Sequence, residues 1–258
     1  MKRKTLLPLL LVLTLLVSVN ALAIQIPPEL LQGLGMSSGE PAEITVKEDR
    51  FNRFNTILGL QAEYVLIVEN PGTAPIYLGE SKVDLLDKDG AVVTSSPIYS
   101  MSPSTLMPGE TGYIVEPLYS ILAEDAGRVA SYQATVAAVT VPGNDPAPVV
   151  KMPVTVDFTT GEGSDVFTGE KEYTLSIVNT VENNTDKDAF DVRVFNVLRD
   201  KDGKLLSIAG STTMDVGIPA GGKILLKSNV QTGLVTMLHK FETLVATVEG
   251  FAFREAAE

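Results

Sequence analysis

The sequence predicts an all-β fold, in which two tandem immunoglobulin-like, Greek-key β-sandwiches follow an N-terminal signal peptide. Three observations lead to this prediction: a hairpin that occurs twice, short apolar runs separated by Gly and Pro turns, and the lack of long amphipathic helical periodicity. The 258 residues suffice for two domains of roughly 100 residues, each able to bury its own core.

The repeated element is anchored at both of its ends. Val68–Asn70 precedes Asp87–Gly90, and Val181–Asn183 precedes Asp200–Gly203 at the same distance, with an offset of 113 residues throughout. Aligned without gaps, the two segments that these anchors bound are identical at 8 of 23 positions. The sequence therefore indicates one fold duplicated along the chain.

Each copy of Asp-Lys-Asp-Gly predicts a hairpin turn. An Asp in the first position accepts hydrogen bonds from the backbone two residues on, and a Gly in the fourth takes the left-handed conformation of a G1 bulge. The predicted turn residues are Asp87, Asp89 and Gly90, and Asp200, Asp202 and Gly203. A calcium loop is the alternative, but the third ligand before Gly and the closing Glu are missing. We therefore expect no metal and no cofactor.

The first residues have the order of a secretory signal. Lys2–Lys4 is basic, Thr5–Val19 is almost entirely apolar, and Ala21 and Ala23 are the small residues that signal peptidase requires. The apolar run is short for a membrane span and a proline interrupts it, which favours cleavage after Ala23 over an uncleaved anchor. We expect an extracytoplasmic protein (secreted, periplasmic or in the cell envelope) that meets a membrane only if this segment is retained.

The remaining organisation follows from strand and turn signals. Tyr64–Val68 is a β-branched and aromatic run of strand length, and Gly161 and Gly163 mark the most loop-like interior stretch. The prediction is a signal peptide at 1–23, a tether at 24–42, a first sandwich at 43–158, a linker at 159–165 and a second sandwich at 166–258.

The composition argues against several classes of partner and of enzyme. The net charge of −12 argues against nucleic acid and anionic lipid as partners. The chain has no Cys, no Trp and a single His, His239, and it has no nucleophile elbow or phosphate-binding glycine loop. These observations favour a protein that is not an enzyme. Four acidic residues are expected to be solvated surface: Asp125, Asp186, Asp188 and Asp191.

Two segments resemble a known family. Val83–Asp87 and Phe195–Asp200, together with the later turn Pro108–Glu110, resemble the FxLYD-type domain of bacterial exported proteins, although Val83 stands in the place of Phe. Asn70–Gly72 is similar to the strand end of the LEA-type-2/WHy family. These resemblances imply an immunoglobulin-like sandwich, an exported context and no established catalytic residues.

We expect an exported, non-catalytic module that binds an unknown protein or envelope component. The alternatives are a LEA-type-2/WHy-like stress-protective envelope protein and a hydrolase with a cryptic carboxylate pair. The candidate partner surface is formed by the loops Pro71–Ile76 and Glu182–Lys187, the second lengthened by the polar run that contains Asp186 and Asp188; ordinary solvated loops are the favoured alternative.

Overall fold

The structure is a computed structural model. It describes residues 39–56, 59–121, 125, 127–141, 149–164, 169, 171–213, 216–230 and 244–255. The predicted signal peptide with Ala21 and Ala23, residues 24–38 of the predicted tether, and His239 lie outside these residues. Glu40–Glu258 forms one compact unit, and of Met1–Gly39 only Gly39 is described.

The described residues form strands and almost no helix, which confirms the predicted all-β class. The first ten strands are β1 Pro41–Ala42, β2 Thr45–Thr56, β3 Gly59–Glu69, β4 Ile76–Leu78, β5 Ser81–Leu86, β6 Val92–Ile98, β7 Thr105–Leu106, β8 Thr111–Ile121, β9 Ser131–Thr135 and β10 Ala138–Thr140. The next seven are β11 Val149–Met152, β12 Val154–Ser164, β13 Lys171–Glu182, β14 Arg193–Arg199, β15 Leu205–Thr212, β16 Lys223–Val230 and β17 Thr247–Glu255.

Domain one comprises β1 to β10. One layer is the sheet β2-β3-β8, and the opposite layer consists of two smaller sheets, β6-β5-β9 and β1-β10-β4-β7. The layers enclose a core that includes Leu66 of β3, Leu85 of β5 and Ile114 of β8. Strands β5 and β6 are joined by the first Asp-Lys-Asp-Gly turn, so the repeated hairpin lies on the second layer.

Domain two comprises β11 to β17. It has one sheet in the order β12-β13-β16 and another in the order β11-β17-β14-β15, all with antiparallel pairing. Strands β13 and β14 are the repeats of β3 and β5. No described strand of one domain pairs with a strand of the other, so the chain forms two sandwiches, as predicted.

Three predicted boundaries are wrong. Residues 159–164 of the predicted linker continue β12 and pair with β13, with Gly161 opposite Thr174 and Gly163 opposite Glu172. The hydrogen bonds of this long hairpin outweigh the low intrinsic strand preference of glycine. Residues 149–158, predicted for domain one, form β11 and part of β12, which belong to the sheets of domain two. At the other end, Pro41–Ala42 of the predicted tether is a strand that pairs with β10.

Strand β3 is buried on both faces. Its even-numbered residues, such as Tyr64 and Leu66, point into the core of domain one. Val65 and Ile67 on the opposite face pack against domain two, where Val197 of β14 is one of their neighbours. This second contact explains why Tyr64–Val68 is a continuous apolar run and does not alternate with polar residues.

Polar groups are also buried where the domains meet. Ser207 Oγ donates to Glu63 Oε1 at 2.6 Å, and Asn52 Nδ2 donates to the same oxygen at 3.1 Å. Asn52 Nδ2 also donates to the Leu206 carbonyl at 2.8 Å. Burial raises the pKa of Glu63 to about 7, while its hydrogen bonds to Ser207 and Asn52 act in the opposite direction.

The two domains meet through faces that are not equivalent. Domain one contributes the sheet β2-β3-β8, and domain two contributes the sheet that contains β14 and β15. On β13, the repeat of β3, Ser176 and Thr180 stand where Glu63 and Ile67 stand in domain one. The contact is therefore heterologous, and the chain makes it once.

Candidate functional site

A groove opens along one side of domain one, between the edge strands of its two layers. Strand β2 is the edge of β2-β3-β8, and β9 is the edge of β6-β5-β9. The groove has a volume of about 670 Å³. Its lining residues are Val46, Asp49, Tyr64, Tyr132, Gln133, Ala134, Thr135 and Val136. We call it the Asp49 groove.

A β-bulge directs Asp49 into this groove. Val46 pairs with Val68 and Asp49 pairs with Leu66, and the register of β2 shifts between Val46 and Glu48. Because of the extra residue, Val46 and Asp49 lie on the same inward face although they are three positions apart. Without the bulge, alternation would place Asp49 on the face that packs against domain two.

Two tyrosines converge on the Asp49 carboxylate. Tyr64 Oη donates to Asp49 Oδ2 at 3.0 Å, and Tyr132 Oη donates to the same oxygen at 2.9 Å. Tyr64 comes from the central strand β3 and Tyr132 from β9, so one carboxylate links the two layers. The structure gives Asp49 Oδ1 no partner among the described residues.

The ring of Tyr132 is fixed by aromatic neighbours. It stacks on Phe51 with ring centroids 4.9 Å apart, and it lies 5.4 Å from the ring of Tyr64 in a tilted arrangement. Burial, the hydrogen bond to Asp49 and the charge of Asp49 together raise the pKa of Tyr132 to about 12. Burial and Asp49 also raise the pKa of Tyr64. Both phenols therefore keep their protons at neutral pH and donate them to Asp49.

Domain two has apolar residues at the positions that correspond to this cluster. Tyr64 aligns with Ile177 at the repeat offset. The strand registers place Val156 in the position of Asp49 and Val248 in the position of Tyr132. These three residues pack together in the core of domain two. The fold can therefore close this side of a sandwich with apolar side chains, and domain one does not.

A second cleft, of about 380 Å³, lies between the domains. Tyr113 and Phe251 form part of its wall, with ring centroids 5.2 Å apart. Its charged residues are Glu110 and Lys151, which form an ion pair at 3.5 Å. Because these charges already neutralise each other, the cleft offers less than the Asp49 groove for orienting a ligand.

The predicted turn residues lie at the predicted hairpins. Asp87 Oδ1 accepts hydrogen bonds from the backbone N–H groups of Asp89 and Ala91, both at 2.9 Å, and Gly90 has a φ of 81°. The second copy has the same arrangement, with a φ of 78° at its glycine; its residues are Asp200, Asp202, Lys204 and Gly203. Both carboxylates are therefore engaged by the backbone of their own turn.

The loops predicted to form a partner surface are held by asparagines. Asn70 Nδ2 donates to the Ala74 carbonyl at 2.8 Å, and Asn183 Nδ2 donates to the Lys187 carbonyl at 2.8 Å. Asp186 is exposed on the second loop.

The other acidic residues that were expected to be solvated surface do not form a cluster. Asp188 Oδ1 accepts the backbone N–H of Ala220 at 3.0 Å, and Asp125 pairs with Arg128 at 3.0 Å. Asp191 has a φ of 51°. None of these residues lies in the Asp49 groove.

The described residues contain neither a cluster of metal-binding side chains nor a helix of membrane-spanning length. No three His, Asp or Glu side chains within them are grouped as a metal site requires. No helix within them is long and apolar enough to cross a membrane.

Comparison with known proteins gives limited similarity. No protein-family model matches the chain, and no curated protein matches it. Red sea bream transglutaminase is similar over 81% of this chain, which spans 29% of that protein, with 12% identity and a TM-score of 0.22. The N-terminal tandem CBM22 domains of Paenibacillus barcinonensis Xyn10C are similar over 86% of this chain and 91% of theirs, with 8% identity and a TM-score of 0.15. Neither similarity carries an argument about function.

The sequence did not reveal the Asp49 groove. Asp49 and Tyr132 are 83 residues apart and belong to no local motif. One signal was present in the alignment of the two repeats. Tyr64, whose side chain ends in a hydroxyl, aligns with the aliphatic Ile177 within a predicted core strand.

Proposed function

We propose that this chain is an exported, non-catalytic binding protein that holds a partner protein or an envelope component in the Asp49 groove. Export rests on the leader pattern at 1–23. The all-β sandwich fold is compatible with a binding module of this kind, since such folds commonly bind through their edges and loops.

The difference between the two copies of the fold is the observation that supports this proposal. Val156, Ile177 and Val248 fill the corresponding side of domain two with apolar contacts. In domain one the same side carries an exposed carboxylate, Asp49, which accepts hydrogen bonds from the partly exposed Tyr132 and from the buried Tyr64. Stability alone does not require this polar set, because the other copy folds without it. We infer that it serves a ligand.

The non-catalytic part of the proposal rests on the chemistry of the two clefts. Asp49 is the one carboxylate among the residues that line the Asp49 groove. Glu110 is the one carboxylate that lines the interdomain cleft, and it is paired with Lys151. Glycoside hydrolysis ordinarily needs two carboxylates at a fixed separation across the scissile bond. Neither described cleft supplies them.

The test is affinity purification from the source envelope, with quantitative comparison of four forms: wild type, Asp49→Asn, the matched control Asp157→Asn, and the loop variant Asp186→Ala/Asp188→Ala. Asp157 is exposed on β12 of domain two, away from the groove. We expect one component to be lost with Asp49→Asn and kept with Asp157→Asn and with the loop variant. A component kept with Asp49→Asn and lost with the loop variant would instead assign the site to the loops.

A further inference from the structure

We propose that the Asp49 groove receives a positively charged side chain, the ammonium of a lysine or the guanidinium of an arginine, from a partner protein. This inference rests on the proposed function, because it names the ligand class of the same groove. Three features of the groove support it: its hydrogen-bond acceptors, its unpaired carboxylate and its apolar walls. The net charge of the chain is a fourth argument.

The centre of the groove presents hydrogen-bond acceptors. The hydroxyl protons of Tyr64 and Tyr132 are both used on Asp49 Oδ2. Tyr64 is buried, but the oxygen of the partly exposed Tyr132 keeps its lone pairs and Asp49 Oδ1 has no partner among the described residues. This centre therefore offers a ligand hydrogen-bond acceptors. A complementary ligand must donate several hydrogen bonds. Ammonium and guanidinium groups donate three and five, respectively, and accept none.

The Asp49 carboxylate has no ion-pair partner within the described part of the protein. Several other carboxylates on these strands are paired: Glu48 with Arg199, Glu69 with Lys47, and Asp84 with Lys82. No described lysine or arginine forms an ion pair with Asp49. Arg50 follows it in sequence, and its charge reaches Tyr132, whose pKa it acts to lower, but its Nε donates to Asn52 Oδ1 at 3.0 Å and it forms no ion pair with Asp49. A cation from outside would complete the Asp49 site.

The walls of the groove suit the aliphatic part of a long cationic side chain. Val46 is 43% exposed at one side, and Ala134 and Val136 line the other. Lysine and arginine bury their methylene stems on apolar surface while the charged head reaches a polar partner. Here the stem would lie along these walls, with its head at Asp49.

Long-range electrostatics favour the same ligand. The chain has a net charge of −12. A negative protein attracts a basic partner during diffusion, and the attraction weakens as salt is added. A neutral ligand would gain nothing from this field.

The experiment uses ring-labelled ¹³C-tyrosine and two pairs of capped tripeptides. The pairs are Gly-Arg-Gly with Gly-citrulline-Gly, and Gly-Lys-Gly with Gly-norleucine-Gly, so that each cation is compared with a neutral side chain of similar length. The chain has seven tyrosines, and the variants Tyr64→Phe and Tyr132→Phe assign the two signals of the groove. The full chain is titrated at low salt.

We expect the Tyr64 and Tyr132 signals to shift with the arginine or lysine peptide and not with its neutral counterpart. The arm that responds more strongly identifies guanidinium or ammonium as the preferred head group. Asp49→Asn should weaken the response by about tenfold or more, corresponding to about 1.4 kcal/mol. Asp157→Asn removes an equal charge elsewhere and should leave it unchanged.

Two results would overturn the inference. One is an equal response to citrulline and arginine, which would mean that the groove selects length or shape and not charge. The other is the lack of any response of these two signals to both cationic peptides. In either case, a component captured from the envelope in an Asp49-dependent manner would leave the proposed binding function standing, so the two failures can be told apart.

Discussion

Arg199 of domain two and Glu48 of domain one are joined by two hydrogen bonds of 2.6 Å, one from each terminal nitrogen of the guanidinium. The hydrogen bond to Arg199 lowers the pKa of Glu48, and the pKa of Arg199 is raised for the same reason. A bidentate pair fixes direction as well as distance. With Glu63 and Ser207, it sets the orientation in which the two sandwiches meet.

The first prediction concerns this ion pair. A double-mutant cycle with Glu48→Ala and Arg199→Ala, followed by urea unfolding, should give a coupling energy of roughly 1 kcal/mol. Lys201→Ala is the control, because Lys201 pairs with Asp202 at 2.8 Å on an exposed turn within one domain. Its effect should be close to zero. Strict additivity of the Glu48 and Arg199 variants would show that the pair does not couple the domains.

The second prediction concerns the pH dependence of stability. In the folded protein the pKa of Glu63 is about 7, above its ordinary value of 4.5, so folding favours its protonated form. The stabilisation is therefore complete below about pH 4.5 and is lost as the pH rises through 7, by about 3 kcal/mol in total. Carboxylates with lowered pKa, such as Glu48, act in the opposite sense at acid pH.

Glu63→Gln provides the matched variant. A glutamine carbonyl can accept the hydrogen bonds from Ser207 and Asn52 without titrating. We expect the free energy of unfolding of this variant to fall less between pH 5 and pH 8 than that of wild type, with a remainder from Glu116, whose pKa is also raised by burial. Parallel pH profiles of the two proteins would contradict the assignment of the proton to Glu63.

The third prediction compares the two cores. Asn179 and Asn196 are fully buried in domain two, and neither side-chain amide has a hydrogen-bond partner among the described residues. At the repeat offset, domain one has Leu66 and Val83, which are equally buried. An unsatisfied buried amide costs roughly 1–3 kcal/mol. Asn179→Leu with Asn196→Val should therefore raise the urea midpoint of unfolding.

The reverse change supplies the control for this prediction. Leu66→Asn should lower the stability of domain one, because it buries an amide among apolar neighbours. If the double replacement in domain two lowers stability instead, the two asparagines have partners or packing roles that their repeat positions do not indicate.

Much of the fold follows from local signals in the sequence. The Asp87 and Asp200 turns, the asparagine that ends each central strand, and the strand at Tyr64–Val68 each depend on residues close together in the chain. The linker prediction failed at Gly161 because strand pairing with β13 is a long-range contact that composition does not encode. The two-sided burial of β3 likewise depends on a domain more than 100 residues away.

The groove was harder to predict because its parts are far apart. Asp49 points inward only because of a bulge two residues earlier, and a bulge of this kind has no reliable sequence signature. Tyr132 reaches Asp49 through the packing of one layer on another. Once the strand registers are known, a position-by-position comparison of the two domains shows that Asp49, Tyr64 and Tyr132 replace apolar residues of domain two.

Photo-crosslinking from the groove tests the central claim most directly. p-Benzoylphenylalanine is placed at Gln133, which lines the Asp49 groove, and in a second protein at Glu249, the equivalent position of domain two by strand register. In the source envelope, we predict one discrete adduct from Gln133 that disappears with Asp49→Asn, and no such adduct from Glu249. Equal adducts from both positions, or an adduct from Gln133 that persists with Asp49→Asn, would contradict a binding site at Asp49.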